Sequence, residues 1–141
     1  MSFKRAFVDT SVFYAFLDKS DKFHGEATEL FRKARKEHYT LISSNFILAE
    51  SHALILSKLG RKIASRWLFS IHKIVSIERI TEEDEIKAKE IIKTFEDKDF
   101  SYTDATSFAI MERLGLVDAW AVDIDFVQYG KFQVQPLRKN P

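Results

Sequence analysis

Short apolar runs alternate with amphipathic helices along this chain, and that alternation sets the fold class before any single residue is considered. Phe3–Val8, Thr40–Ser43, Ile74–Ile80, Trp120–Val122 and Phe132–Val134 read as strands. Helices are predicted over Thr10–Leu17, Glu26–Glu37, Asn45–Leu59 and Ile63–Ile74, then from Thr81 to near Phe95 and from Ser101 to near Gly115. Ala27, Leu30, Phe31 and Ala34 recur at the spacing of one helical face. Gly60 is a stop signal for the helix before it, and Glu82-Glu83-Asp84-Glu85 suits the positive end of a helix dipole. Strands that alternate with helices favour a mostly parallel sheet covered on both faces, in an α/β fold. Ligand sites in such sheets form beyond the carboxyl ends of the strands.

The chain has 141 residues with only four glycines and two prolines, and shows no linker, repeat or low-complexity stretch, so residues 1–141 read as a single unit. It is 45% hydrophobic, enough for a core without staples, and it has no cysteine, which excludes a disulfide framework and thiolate metal sites. No apolar run approaches the roughly 20 residues needed to cross a bilayer. The N-terminal Met1-Ser2-Phe3-Lys4-Arg5 lacks the apolar segment of a signal peptide, and a cytoplasmic location is expected. The net charge of +1 neither demands nor excludes nucleic acid, so a phosphate-binding face has to come from local clusters.

Against that frame, four carboxylates stand out. Asp9 and Asp123 each follow a short apolar run, so both fall at strand ends on one rim. Asp9 reads locally as a helix cap, and Asp123 as a turn residue with Asp125 as its rival. Glu50 has Phe46, Ile47, Ala53 and Leu54 as helical neighbours, which points it along the core-facing stripe; a buried ion pair is the alternative. Asp104 completes Ser101-Tyr102-Thr103-Asp104, a capping-box pattern, yet Phe108 and Met111 place it on an apolar face. Asp97 and Asp99, just before the Ser101 helix, read as solvated loop residues, with a supporting place behind the site as the alternative. Buried carboxylates are costly unless they are paired or hold a metal, and four at one spot call for a hard divalent ion.

Phe7-Val8-Asp9-Thr10-Ser11, Leu48-Ala49-Glu50, Ser101-Tyr102-Thr103-Asp104-Ala105 and Val122-Asp123-Ile124-Asp125-Phe126 resemble, in order, the motifs of the PIN (PilT N-terminal) domain family. The likeness is to its VapC-like branch of small ribonuclease toxins and covers nearly the whole chain. It implies a three-layer α/β/α sandwich around a mostly parallel sheet of about five strands. It also implies a Mg²⁺- or Mn²⁺-dependent endoribonuclease, with Asp9, Glu50, Asp104 and Asp123 in the acidic positions. Thr10 or Ser11 matches the hydroxyl that often follows the first acid, and Ser101 the serine before the third. Asp125 joins these as a substrate-side or supporting residue. One departure is Ala121, where family members often carry Thr or Ser. The resemblance further implies a homodimer, a cognate antitoxin and no membrane partner.

Phosphodiester cleavage requires an activated nucleophile and neutralisation of charge on the phosphorus centre, both of which divalent cations supply. Asp9 and Asp104 are expected to be the most direct ligands. His24, His38, His52 and His72 show no paired ligand spacing. Arg32, Lys33, Arg35 and Lys36, and Lys58, Arg61, Lys62 and Arg66 around Gly60, are the candidate RNA contacts. Phe13 and Tyr14 lie near Asp9 as possible base-stacking rings, although helical aromatics are more often core. The dense aliphatics of Phe46–Leu56 and Ile63–Ile74 offer a self-association surface. Other readings are a nuclease of RNA maturation or DNA processing, a silent RNA-binding scaffold, and an aspartyl-phosphate phosphatase. Ser11 stands where the last of these needs a second aspartate.

Overall fold

The computed structural model describes residues 4–136, so Phe3, the first residue of the first expected strand, lies outside the described residues. Five strands form one all-parallel sheet in the order β3-β2-β1-β4-β5. They are β1 (Arg5–Val8), β2 (Thr40–Ser44), β3 (Val75–Glu78), β4 (Asp118–Trp120) and β5 (Gln133–Gln135). The helices are α1 (Thr10–Leu17), α2 (His24–Glu37), α3 (Asn45–Leu59), α4 (Arg61–Ser70), α5 (Glu82–Thr94), α6 (Tyr102–Leu114) and α7 (Asp125–Tyr129). The expected α/β architecture is therefore the observed one.

The chain steps outward from β1 to β3, then returns past β1 to lay down β4 and β5. Right-handed crossovers place α1–α4 on one face of such a sheet and α5–α7 on the other. The aromatic core divides the same way. Phe7 meets Phe126 at 6.5 Å, and Phe108 packs on Phe126 at 5.0 Å and on Tyr129 at 4.4 Å. Trp120, in register with Val8, instead meets Phe31 of α2 at 5.7 Å, and Phe13 of α1 meets Trp67 of α4 at 5.4 Å. Adjacent strand residues point to opposite faces, so Phe7 and Val8 anchor the two layers from one strand.

The reversal of direction between β1 and β4 is a topological switch point, where parallel sheets open a crevice at their carboxyl ends. Helices begin at that edge, and polar caps hold their first turns. Asp9 caps α1, Ser44 caps α3, and Thr81 and Ser101 make capping boxes with Asp84 and Asp104. Gly60, at φ 92°, ends α3 and opens α4 in a backbone conformation that a side chain would strain.

Several boundaries differ from expectation. β4 runs over Asp118–Trp120 rather than 120–122, because Asp9 N donates to Trp120 O (2.9 Å) at the end of β1 and Ala121 N donates onward to Gln135 O (2.8 Å). α4 starts at Arg61, and the predicted helix breaks after Ser70 into a 3-10 turn over Ile71–Lys73. α7 was not expected at all. Among the described residues, no helix is long and apolar enough to cross a membrane.

Asp84 carries a separate structural burden. It is buried, and Arg113 of α6 donates to both its oxygens, Nε at 2.9 Å and a terminal nitrogen at 3.0 Å. Burial pushes its carboxyl up, but the Arg113 and Thr81 hydrogen bonds overcome this and hold it below the ordinary carboxylate range. A carboxylate depressed in the folded state stabilises at neutral pH, and that stability is lost as pH falls through the depressed value. Asp84→Asn is therefore expected to cost about 2–3 kcal/mol at pH 7. The gap from wild type should close on acidification, as read by urea midpoints between pH 7 and 3.

Candidate metal centre

Asp9 leaves β1 directly into the crevice. It is 3% exposed, and its Oδ2 accepts from Ser11 N (3.1 Å) and Ser11 Oγ (2.6 Å). Ser11 Oγ accepts in turn from Val122 N (2.9 Å), so one hydroxyl ties the end of β1 to the segment after β4. The Thr10 hydroxyl is engaged elsewhere, accepting from Ser51 Oγ of α3 (2.9 Å). Of the two expected hydroxyls, Ser11 is the one that orients Asp9.

Asp104, 7% exposed, opens α6. Its backbone N donates to Ser101 Oγ (3.0 Å) and its Oδ2 accepts from Ser101 N (3.3 Å). The expected capping box is present, and the same side chain borders the crevice: one carboxylate oxygen caps the helix at the edge of the opening. Past β4, Asp123 Oδ1 accepts from Asp125 N (3.2 Å), and Asp125 begins α7. Asp104, Asp123 and Asp125 each bring an oxygen within 4.8 Å of the others.

Glu50 departs from its expected setting. The buried row of α3 is Ile47, Ser51 and Ile55, and Glu50 lies exposed on the neighbouring row, beside half-buried Leu54. A helical row has only about 100° of arc, so apolar residues at i±3 and i±4 can flank a residue that faces solvent. Glu50 nevertheless borders the same opening. Asp9, Thr10, Ser11, Glu50, Ser101, Asp104, Asp123 and Asp125 all line one open cleft of about 450 Å³, together with Leu54 and Asp99.

The electrostatics report crowding. Burial, opposed by the Ser11 bonds, pushes the Asp9 carboxyl up to about 6, and the charges of Glu50 and Asp123 add to the rise. Burial also raises Asp104, against a hydrogen bond from Asp125 and with the charges of Asp9 and Asp123. Asp125 is pushed up to about 8 by burial, by that shared hydrogen bond and by the charges of Asp104 and Asp123. Asp104 and Asp125 thus share one hydrogen bond, which favours the proton on Asp125. No lysine or arginine lines the cleft among the described residues. A hard cation fits this donor set, which would offer it three carboxylate oxygens, each within 4.8 Å of the other two.

The PIN domain profile matches residues 6–131. The chain belongs to the PIN domain family. This PIN domain is 31% identical over 131 residues to the 23S rRNA-specific endonuclease VapC20 of Mycobacterium tuberculosis strain H37Rv, covering 92% of the chain and 98% of that protein. The crystal structure of Mycobacterium tuberculosis VapC20, described as a sarcin-ricin loop cleaving toxin, superposes with a TM-score of 0.83 at 32% identity, covering 93% of this chain and 99% of that one. A DNA-bound VapBC from Salmonella typhimurium shares the fold alone, with a TM-score of 0.70 at 12% identity over 95% of this chain and 98% of that one.

All eight site residues expected from sequence therefore meet in this PIN domain. Asp99 also lines the cleft, although its sequence setting reads as solvated loop; its place two residues before the Ser101 cap was the available signal. Ala121 is buried, and beside it the Ser11 hydroxyl supplies a polar anchor to Val122 N. Phe13 is core, packed on Trp67 and Phe31, so its ring is not offered to a base, and the Tyr14 hydroxyl donates to Asp18 (2.6 Å). None of the eight candidate basic residues lines the acidic cleft.

Proposed function

We propose that this chain is a divalent-metal-dependent endoribonuclease, a single PIN-like domain that acts in the cytoplasm as the toxin of a type II toxin–antitoxin pair. The observation that carries the reading is the convergence of six carboxylates on one cleft, with no lysine or arginine in its lining among the described residues. Such a site sheds its repulsion by holding protons or a cation, and a divalent cation serves several carboxylates at once. The similarity to a VapC endonuclease over 92% of the chain supports RNA as the substrate.

In this reading Asp104, Asp123 and Asp125 hold a cation, Mg²⁺ or Mn²⁺, with Asp9 and Glu50 on the facing walls. Bound there, the cation supplies charge neutralisation and an acidified nucleophile for phosphodiester hydrolysis. Ser11 fixes the carboxylate plane of Asp9. Ser101 fixes Asp104 through the capping box, and the Asx turn made by Asp123 sets the start of α7. Asp123 and Asp125 then share the fourth acidic position, as partners rather than as rivals.

A partner has a surface to meet. Phe16, Phe31, Ile63, Trp67 and Ile74 border an apolar cavity between α1, α2 and α4, with Arg66 beside it. This groove suits the apolar face of a cognate antitoxin, in line with the VapBC complexes among the structural neighbours. Leu56 and Phe69 stay 44% and 74% exposed, and a second copy of the chain would cover them.

The test is to induce the protein in cells and map new RNA 5′ ends, wild type against Asp104→Asn. The reading expects discrete new ends only with wild type, and 23S rRNA is the first molecule in which to look. Equal end profiles would overturn it.

A further inference from the structure

We propose that Phe46 and Tyr102 form a nucleobase-stacking subsite beside the acidic cleft, holding one unpaired base of the RNA strand. The proposal rests on the nuclease reading above and names how that site grips its substrate.

The outer row of α3 runs Phe46, Glu50, Leu54, Lys58, each four residues from the last. Glu50 and Leu54 line the cleft, and Phe46 lies one turn, about 6 Å along the axis, toward the start of the helix. Phe46 is half-buried and, unlike Leu48 or Phe31, does not pack against the core cluster. Its ring contact is Tyr102, at 6.0 Å between centroids and tilted by 55°. Tyr102 follows Ser101 of the cleft wall, and its hydroxyl donates to Glu85 Oε1 of α5 (2.7 Å), which pins the second ring.

Packing in the core does not account for a phenylalanine in this position. A partly exposed ring outside the core, one turn from a cleft carboxylate, has area to offer a planar ligand. Single-stranded RNA presents such ligands, since stacking on an aromatic side chain accepts any base. On the same row Lys58 lies one turn beyond Leu54, outside the cleft lining, where a phosphate of the continuing strand can pair with it.

The experiment uses a short single-stranded RNA of mixed sequence carrying 2-aminopurine at successive positions, titrated with the full chain. Quenching is expected at one position with wild type, lost in Phe46→Ala and restored in Phe46→Trp, with affinity weakened roughly 5- to 150-fold in the alanine variant. No position-specific quenching with wild type, or the same quenching in Phe46→Ala, would overturn the subsite. Cleavage of the same RNA is read separately. A strand that is quenched but never cut counts against the nuclease reading and leaves the stacking subsite standing.

Discussion

Asp104→Asn is expected to lower RNA cleavage at least about 1000-fold, a loss of about 4 kcal/mol in transition-state stabilisation. The substitution is nearly isosteric. An asparagine oxygen can still accept from Ser101 N, so the start of α6 keeps its cap. What disappears is the negative charge at the buried corner of the Asp104–Asp123–Asp125 triad. Thermal stability should therefore hold while turnover collapses, and a single-turnover cleavage assay alongside a melting curve separates the two. A variant within tenfold of wild type would remove Asp104 from the machinery.

Asp9→Asn is expected to do something a purely structural aspartate would not: it should stabilise the metal-stripped protein. Burial and neighbouring acids lift the Asp9 carboxyl from 3.8 to about 6. A raised carboxyl binds its proton more tightly in the folded state, so its contribution is favourable at low pH and is lost as pH rises through about 6. At pH 7.5 the ionised Asp9 therefore burdens the fold by up to about 3 kcal/mol. Asparagine is as good a helix cap and carries no charge, so the variant should melt several degrees higher than wild type in chelator. The advantage should vanish below about pH 4. Cleavage should be lost in the same variant, since its activity and its instability share one cause.

The fold was legible because the apolar runs and helical stripes are long enough to be told apart by period. The Gly60 stop, the acidic opening of α5 and the Thr10–Leu17 helix fall where the residues place them. The exceptions have local reasons. α7 is five residues long and opens inside the Asp123–Asp125 turn, so its period never develops. β4 shifted because strand ends are fixed by partners, here Asp9 N and Gln135 O, which lie far away in sequence.

The acids of the candidate cleft were legible in the sequence, and the bonding of its hydroxyls was not. Neighbours in sequence could not decide between Thr10 and Ser11, because the choice depends on Ser51 and Val122 in distant elements. Glu50 shows the limit of helical spacing: apolar neighbours placed it on the core stripe, whereas the buried row passes one residue to the side, through Ser51. For Asp99 the one local signal was its place two residues before the Ser101 cap, and its position in the cleft is tertiary.

The account stands on the claim that these acids are built to hold a divalent cation, and one titration tests it. Metal-stripped protein is melted at increasing MnCl₂, wild type beside Asp104→Asn. A saturable rise in the wild-type melting temperature is expected, worth about 2.7 kcal/mol at a hundredfold excess over the dissociation constant, with little or none in the variant. A wild-type melting temperature that ignores manganese, or a variant that rises equally, would contradict the account.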